Sequence, residues 1–358
     1  MKRWLWIFLL ACPALPQYQI VTPGRHYQFP RDFFNHPQFQ TEWWYYTGNL
    51  RAPNGHRFGF ELTFFRLGAS HDPQQDSSWA VRNVYMAHCA LSDLTGHRFF
   101  YRERLNRAGP GFAGIDFDRR LIWNGNWNVR WLSEDQRLQA VTDAFTLDLQ
   151  LTSLKPPVIN GQNGISRKGP QRGEASYYIS LTRLQTTGKI TLAGTTYQVS
   201  GLAWMDHEFF TQQLDPSITG WDWLCLQLAN HTEFMFYRLR LKRDGISPYS
   251  SGTYVASDGH SRFLNVRDFS LIPGKTWTSP RTHARYPVQW RIDVPSLQID
   301  LSASTPLDSQ ELVSRNALSP TYWEGAIDLN GKEAGKPLKG VGYLEMTGYA
   351  EPLEKINY

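Results

Sequence analysis

Six collinear matches divide this chain into two copies of one pattern, and that duplication constrains the fold more than any other feature. Trp43 in EWWYY pairs with Trp221 in GWDW, Phe65-Arg66-Leu67 with Tyr237-Arg238-Leu239, and Gly96-His97 with Gly259-His260. Leu147-Asp148-Leu149 then pairs with Ile299-Asp300-Leu301, Tyr177 with Tyr322, and Gly201 with Gly340. The offset falls from 178 residues between Trp43 and Trp221 to 139 between Gly201 and Gly340. A steady fall is what longer loops in the first copy produce, and ordered self-similarity marks a repeated structural unit.

Each copy reads as strand. RFGFELTFFR (57–66), FTLDLQL (145–151), YYISLTR (177–183) and TEFMFYRLRL (232–241) alternate with period two and end at Asn-Gly, Asp-Gly or Gly-Lys turns. A short helix is expected only near Leu307–Leu318. The expectation is an all-β chain of two antiparallel domains, 24–212 and 213–358. A closed barrel of about eight strands removes exposed edges and can hold one small apolar ligand.

Lys2 and Arg3 precede a short apolar run, Trp4 to Ala11, which together with the residues to 18 reads as an export signal. The run is too short for a membrane span, which needs about 20 apolar residues. Leu9-Leu10-Ala11-Cys12 resembles a lipobox, with Cys12 as the lipidated residue, although Leu10 and Pro13 depart from that pattern. An exported protein of the periplasm or envelope is expected, lipid-anchored if Cys12 is modified; a non-exported chain with an apolar start is the alternative. Cys89 and Cys225 are expected as buried thiols, with a single disulfide as the alternative. The net charge of +5, spread without any basic run, argues against nucleic acid as a partner and leaves contact with an anionic membrane surface open.

The chemistry concentrates in GLAWMDHEFFTQQLDPSITGWDW, residues 201–223. On a regular strand Trp204, Asp206 and Glu208 share one face, and Met205 and His207 the other. Asp206 is the candidate acid, Glu208 its partner, and His207 a third catalytic candidate only if a bulge re-aims it. Trp204, Trp221 and Trp223, with Asp222 between the last two, would form the wall of a ring-lined hollow, where burial raises a carboxyl pKa. In the second copy Glu345, Met346 and Thr347 stand where Asp206, His207 and Glu208 stand in the first.

Upstream, Glu42, Trp44 and Tyr46 share a face, with Trp43 and Tyr45 on the other. Glu42 needs a partner, Arg66 or His88, and His88 is either a pocket residue or a hydrogen-bonded core histidine. His36, before Pro37, has no evident partner. No metal site is expected, since His207-Glu208 does not continue as H-E-x-x-H and no C-x-x-C occurs. The glycine-rich run Gly161–Gly173 lacks phosphate-loop features and reads as a solvated loop. The bland alternative for the acids is a buried polar network that fixes the two domains.

HPQFQTEWWYYTGNL (His36–Leu50), GLAWMDHEFF (Gly201–Phe210) and GWDW resemble the AttH/CrtC-like family of exported bacterial proteins, across about Phe29 to Tyr349. The resemblance implies two lipocalin-like (calycin) barrels in one chain and a hydrophobic lipid or isoprenoid ligand; no cofactor is expected. Its carotenoid 1,2-hydratase relatives imply acid-catalysed hydration or isomerisation of an alkene. Its AttH branch implies instead a non-catalytic lipid-binding accessory of an ABC transporter permease. The family's "hydrolase" label finds no support here, because no G-x-S-x-G motif occurs.

Overall fold

The computed structural model describes residues 18–69, 81–133, 135–212, 214–316 and 319–353. The export signal and Cys12 lie outside the described residues. Nearly all regular structure is antiparallel strand, as the alternation requires. The first sheet runs Arg98–Arg107, Asn83–Asp93, Arg57–Gly68, Thr41–Arg51, Thr195–Phe210, Ala175–Leu192, Phe145–Ser153, Asp135–Val141, Trp127–Leu132, Leu121–Asn124, Ala113–Asp116. It curls into a nearly closed barrel. The second runs Ser261–Asn265, Ser251–Val255, Glu233–Leu241, Ile218–Leu228, Lys336–Met346, Tyr322–Glu333, Ile299–Ser304, Gln289–Val294, Ser270–Pro273, and forms a half-barrel.

The two orders are the same connectivity written twice. In each, the first strand of the copy pairs with the second strand on one side and the last strand on the other. An exposed ion pair recurs with it: Arg137 to Asp148 in the first barrel, Arg291 to Asp300 in the second. Leu50 faces Gly201 as Leu228 faces Gly340, so that repeat match is true in register.

Two other matches slip. Ser180 faces Asp206 as Glu324 faces Glu345, which sets Tyr322 against Tyr178 rather than Tyr177. Phe65 faces Trp43, but Leu239, not Tyr237, faces Trp221, a slip of two residues. Because strand side chains alternate, an even slip keeps the same face and an odd one does not.

The expected helix near Leu307–Leu318 is replaced by a short strand, Glu311–Leu312, that pairs with Tyr322–Glu333. Among the described residues the helical segments are two single 3₁₀ turns, Arg31–Phe33 and Pro295–Leu297. None is long and apolar enough to cross a membrane. Each barrel has its own apolar core, the first around Trp44, Phe58, Trp127 and Leu149, the second around Phe234, Trp290, Leu301 and Trp323. A third cluster, holding Tyr45, Tyr178, Trp204, Trp223 and Tyr343, fills the seam between the barrels. At Gly59 a Cβ would approach the Ala326 Cβ of the other barrel to 3.0 Å, so backbone contact there depends on glycine.

Cys89 and Cys225 are both buried free thiols.

Candidate active site

The strand Thr195–Phe210 divides its residues between two environments. Its register against Thr41–Arg51 is unbroken from Ser200 to Phe210, so no bulge re-aims His207. Asp206 and Glu208 turn toward the seam; His207 turns into the first barrel. The three catalytic candidates therefore do not form one group.

Asp206 sits at the centre of the seam, 3% exposed. Ser180 Oγ donates to its Oδ1 at 2.5 Å, Trp204 Nε1 donates to the same oxygen at 2.7 Å, and Tyr178 Oη donates to Oδ2. The second barrel completes the set: Trp223 Nε1 donates to Tyr178 Oη at 2.9 Å, and Trp223 packs edge-on against Trp204 and Tyr45. Among the described residues no arginine or lysine forms an ion pair with this carboxyl. Burial pushes the Asp206 pKa up, the three donors pull it down, and the balance is about 7. Such a group exchanges a proton near neutrality.

Glu208 accepts from Ser176 Oγ, and the Lys168 ammonium lies 3.9 Å from its Oε2. Lys168 also rests 3.6 Å from the centre of the Tyr237 ring. Lys168 belongs to the glycine-rich run expected to be a solvated loop. Instead Ile165, Ser166 and Lys168 are buried, and Ser166 and Arg167 bond Tyr237 of the second barrel. The loop folds into the seam because its backbone pairs with the start of Ala175–Leu192.

Further along the seam lies a second acidic group. Trp221 Nε1 donates to Glu345 Oε1 at 3.0 Å, Tyr45 Oη donates to Glu324, and Thr63 Oγ1 donates to Glu61 at 2.5 Å. Burial, with no facing cation to offset it, pushes Glu61 and Glu345 up to about 8 and Glu324 well above the usual carboxylate range. His88, elsewhere on the seam, accepts or donates at both ring nitrogens, to Tyr322 at 2.7 Å and Ser319 at 2.9 Å. Burial lowers its pKa to about 4 and keeps it neutral.

The remaining ligand candidates face away from Asp206. Glu42, Trp44 and Tyr46 point into the first barrel, where Glu42 pairs with Arg66 at 3.0 Å, Trp44 stacks on His207, and Tyr46 bonds Gln136. Burial alone would raise Glu42, but hydrogen bonds from His207 and His36 and the Arg66 charge hold it well below the usual range. Asp222 points into the second barrel, between Arg238 and Arg240, with Tyr349 Oη donating to it. Alternation explains each placement: Trp221 and Trp223 are on the seam side, Asp222 between them is not.

The expected open hollow differs from what is found. The aromatic wall is present, but the oxygens of Asp206 are taken up by its neighbours and the second barrel caps it. An open cavity of about 260 Å³ lies elsewhere, between Arg25, His26, Arg31, Asp32 and His36. Sequence reading missed Tyr178, Ser180, Lys168, Glu61 and Glu324, which reach the seam from other strands and from the loop.

Comparison with known proteins matches this arrangement. The AttH-like family matches residues 20–349. A crystal structure of a protein assigned to AttH from Nitrosomonas europaea is 34% identical, with a TM-score of 0.83 over 92% of this chain and 99% of that one. Kievitone hydratase from Nectria haematococca shares the fold at 18% identity, with a TM-score of 0.69 over 95% of this chain and 98% of that one. CghA shares it at 12% identity and a TM-score of 0.54, over 91% and 94%. No curated protein matches. With the family matched over most of its length and both barrels in place, the chain belongs to the AttH-like family.

Proposed function

We propose that this protein is a hydratase- or isomerase-type enzyme that protonates an alkene of a hydrophobic ligand, with Asp206 as the acid. One observation carries the reading: a buried carboxyl that meets no cation among the described residues, walled by Trp204, Trp223 and Tyr178 at the junction of two barrels, where burial pushes its pKa up to about 7. Protonating an unactivated double bond needs a neutral acid, and electron-rich rings stabilise the cation that follows. Glu208, with Lys168 beside it, is placed to take up the proton that an attacking water releases. Ligand sites favour domain junctions; the aromatic wall supports a hydrophobic ligand, and the family resemblance supports the lipid or isoprenoid class. Because Asp206 is 3% exposed, turnover requires the seam to part around the ligand. The leader-like first residues support export to the envelope.

A second reading, a non-catalytic lipid-binding partner of an ABC transporter, is favoured by the full engagement of Asp206 by Ser180, Trp204 and Tyr178. One experiment separates the two. Wild type and Asp206→Asn are incubated with mixed polyunsaturated and isoprenoid lipids, and bound and released species are identified by mass spectrometry. Catalysis predicts a product 18 mass units heavier, or an isomer, from wild type only, with binding retained in the variant. Unmodified ligand from both proteins would leave the carrier reading alone.

A further inference from the structure

The inward face of the same strand carries a group that the seam chemistry does not use. His36 Nδ1 and His207 Nε2 converge on one oxygen, Glu42 Oε1, at 2.7 and 2.9 Å, and the three atoms lie within 4.8 Å of one another. All three residues are buried. The other nitrogen of each ring is also committed: His36 Nε2 meets Asp32 Oδ1 at 2.9 Å, and His207 Nδ1 meets the Asp32 carbonyl at 3.0 Å.

Every one of these four ring nitrogens thus faces an acceptor. A neutral imidazole has only one N–H, so two neutral rings would turn a lone pair against an oxygen at two of the four contacts. Two imidazolium rings would satisfy all four acceptors only by setting like charges side by side in a buried site, with ring centres 5.6 Å apart; a divalent cation satisfies them with both rings neutral. With the outer N–H of each ring donated to Asp32, the inner nitrogens present lone pairs to a metal that also takes Glu42 Oε1. Ligating histidines characteristically donate their far N–H to a carboxylate or a backbone carbonyl, which fixes the tautomer and ring orientation. Asp32 supplies one of each.

We propose that His36, Glu42 and His207 form a binding site for a first-row divalent metal ion such as zinc, with Asp32 as its outer support. Two imidazoles and one carboxylate suit such ions. Arg66 Nε donates to Glu42 Oε2 at 3.0 Å, and the His36 backbone N–H is shared between Oε2 at 2.9 Å and Oε1 at 3.1 Å, so Oε1 is the less committed oxygen and the candidate ligand. The cavity of about 260 Å³ is lined by His36 and Asp32, so the outer edge of the group borders open space. The site lies on the opposite strand face from Asp206 and stands or falls independently of the acid chemistry.

The test uses the full chain, stripped with chelator and titrated with Co²⁺ by visible absorption and with Zn²⁺ by calorimetry. One equivalent per chain is expected, with ligand-field bands typical of a nitrogen–oxygen site. Asp32→Asn, which removes no ligand, should weaken affinity about 10- to 100-fold. His36→Gln should abolish the bands, whereas His26→Gln, exposed at the same cavity, should leave them unchanged. Absence of stoichiometric Co²⁺ bands in the wild-type protein would overturn the site without any variant. So would undiminished binding in folded His36→Gln.

Discussion

Glu42 and Asp206 lie on paired strands of one sheet and are both sealed from solvent, yet the protein treats them in opposite ways. Glu42, on the inward face, meets Arg66 and two histidines and is held as an anion. Asp206, on the seam face, meets only hydroxyls and an indole, and burial wins. Desolvation acts on both; at Glu42 the hydrogen bonds from His207 and His36, together with the Arg66 charge, outweigh it, and at Asp206 three neutral donors do not. The second barrel repeats the lesson, with Asp222 between two arginines inside and Glu345 beside an indole on the seam. Inward Glu42 and Asp222 are ion-paired; on the seam Asp206 and Glu345 meet no cation among the described residues, whereas Glu233 pairs with Lys155 and Arg183 of the first barrel.

The largest effect should come from breaking the inward ion pair. Glu42→Gln leaves Arg66 buried without its counter-charge and is expected to cost about 3–5 kcal/mol in urea denaturation. A loss below about 1 kcal/mol would mean that the buried pair contributes little beyond its desolvation cost.

The pH dependence comes next and separates the two faces. Raised carboxyls bind more protons in the folded than the unfolded state, so the stability they contribute is full below their unfolded values of 3.8 and 4.5. It is lost as pH rises through about 7 for Asp206 and about 8 for Glu61 and Glu345. Each such group contributes a slope of about 1.4 kcal/mol per pH unit inside its window. Unfolding free energies at pH 5, 6 and 7 should therefore decline, and Asp206→Asn should flatten the decline by one proton. A flat wild-type profile would show that the seam is wetter than its burial implies.

A smaller effect tests how the second barrel reaches the acid. Trp223→Phe removes the N–H that supports Tyr178 and should cost about 1 kcal/mol, the usual net worth of a hydrogen bond. In a double-mutant cycle with Tyr178→Phe the two losses should be less than additive, because they share one chain of bonds. Strict additivity would break the proposed coupling across the seam. The smallest effect is expected at the exposed pair, where Arg137→Ala should leave the unfolding midpoint unchanged within error, as surface ion pairs usually do.

Much of this arrangement was readable from the chain. Alternation placed Asp206 and Glu208 on one face with Trp204, and His207 on the other, because a strand has no freedom in that respect. The duplication pointed to two similar antiparallel β domains, since a repeated pattern has to bury a repeated face, and the family resemblance implied their lipocalin-like barrel form. Glu42 is expected to need a partner, Arg66 or His88, and Arg66 is the one it meets. His36 was dismissed as an unpartnered turn residue, yet it bridges Asp32 and Glu42. Its partners lie within six residues, but nothing in the residue order shows that the chain at a single 3₁₀ turn folds back to join them.

What the sequence determined by itself is local and periodic: strand identity, the face each side chain takes, and the repeat. Only the tertiary structure decided which faces meet. Tyr178, Ser180 and Lys168 reach Asp206 and Glu208 from a neighbouring strand and a loop, and Trp223 reaches across from the other barrel. Whether a buried carboxyl keeps its proton depends on those distant neighbours, because the field at a sealed site is set by what packs within a few ångströms in space, not along the chain.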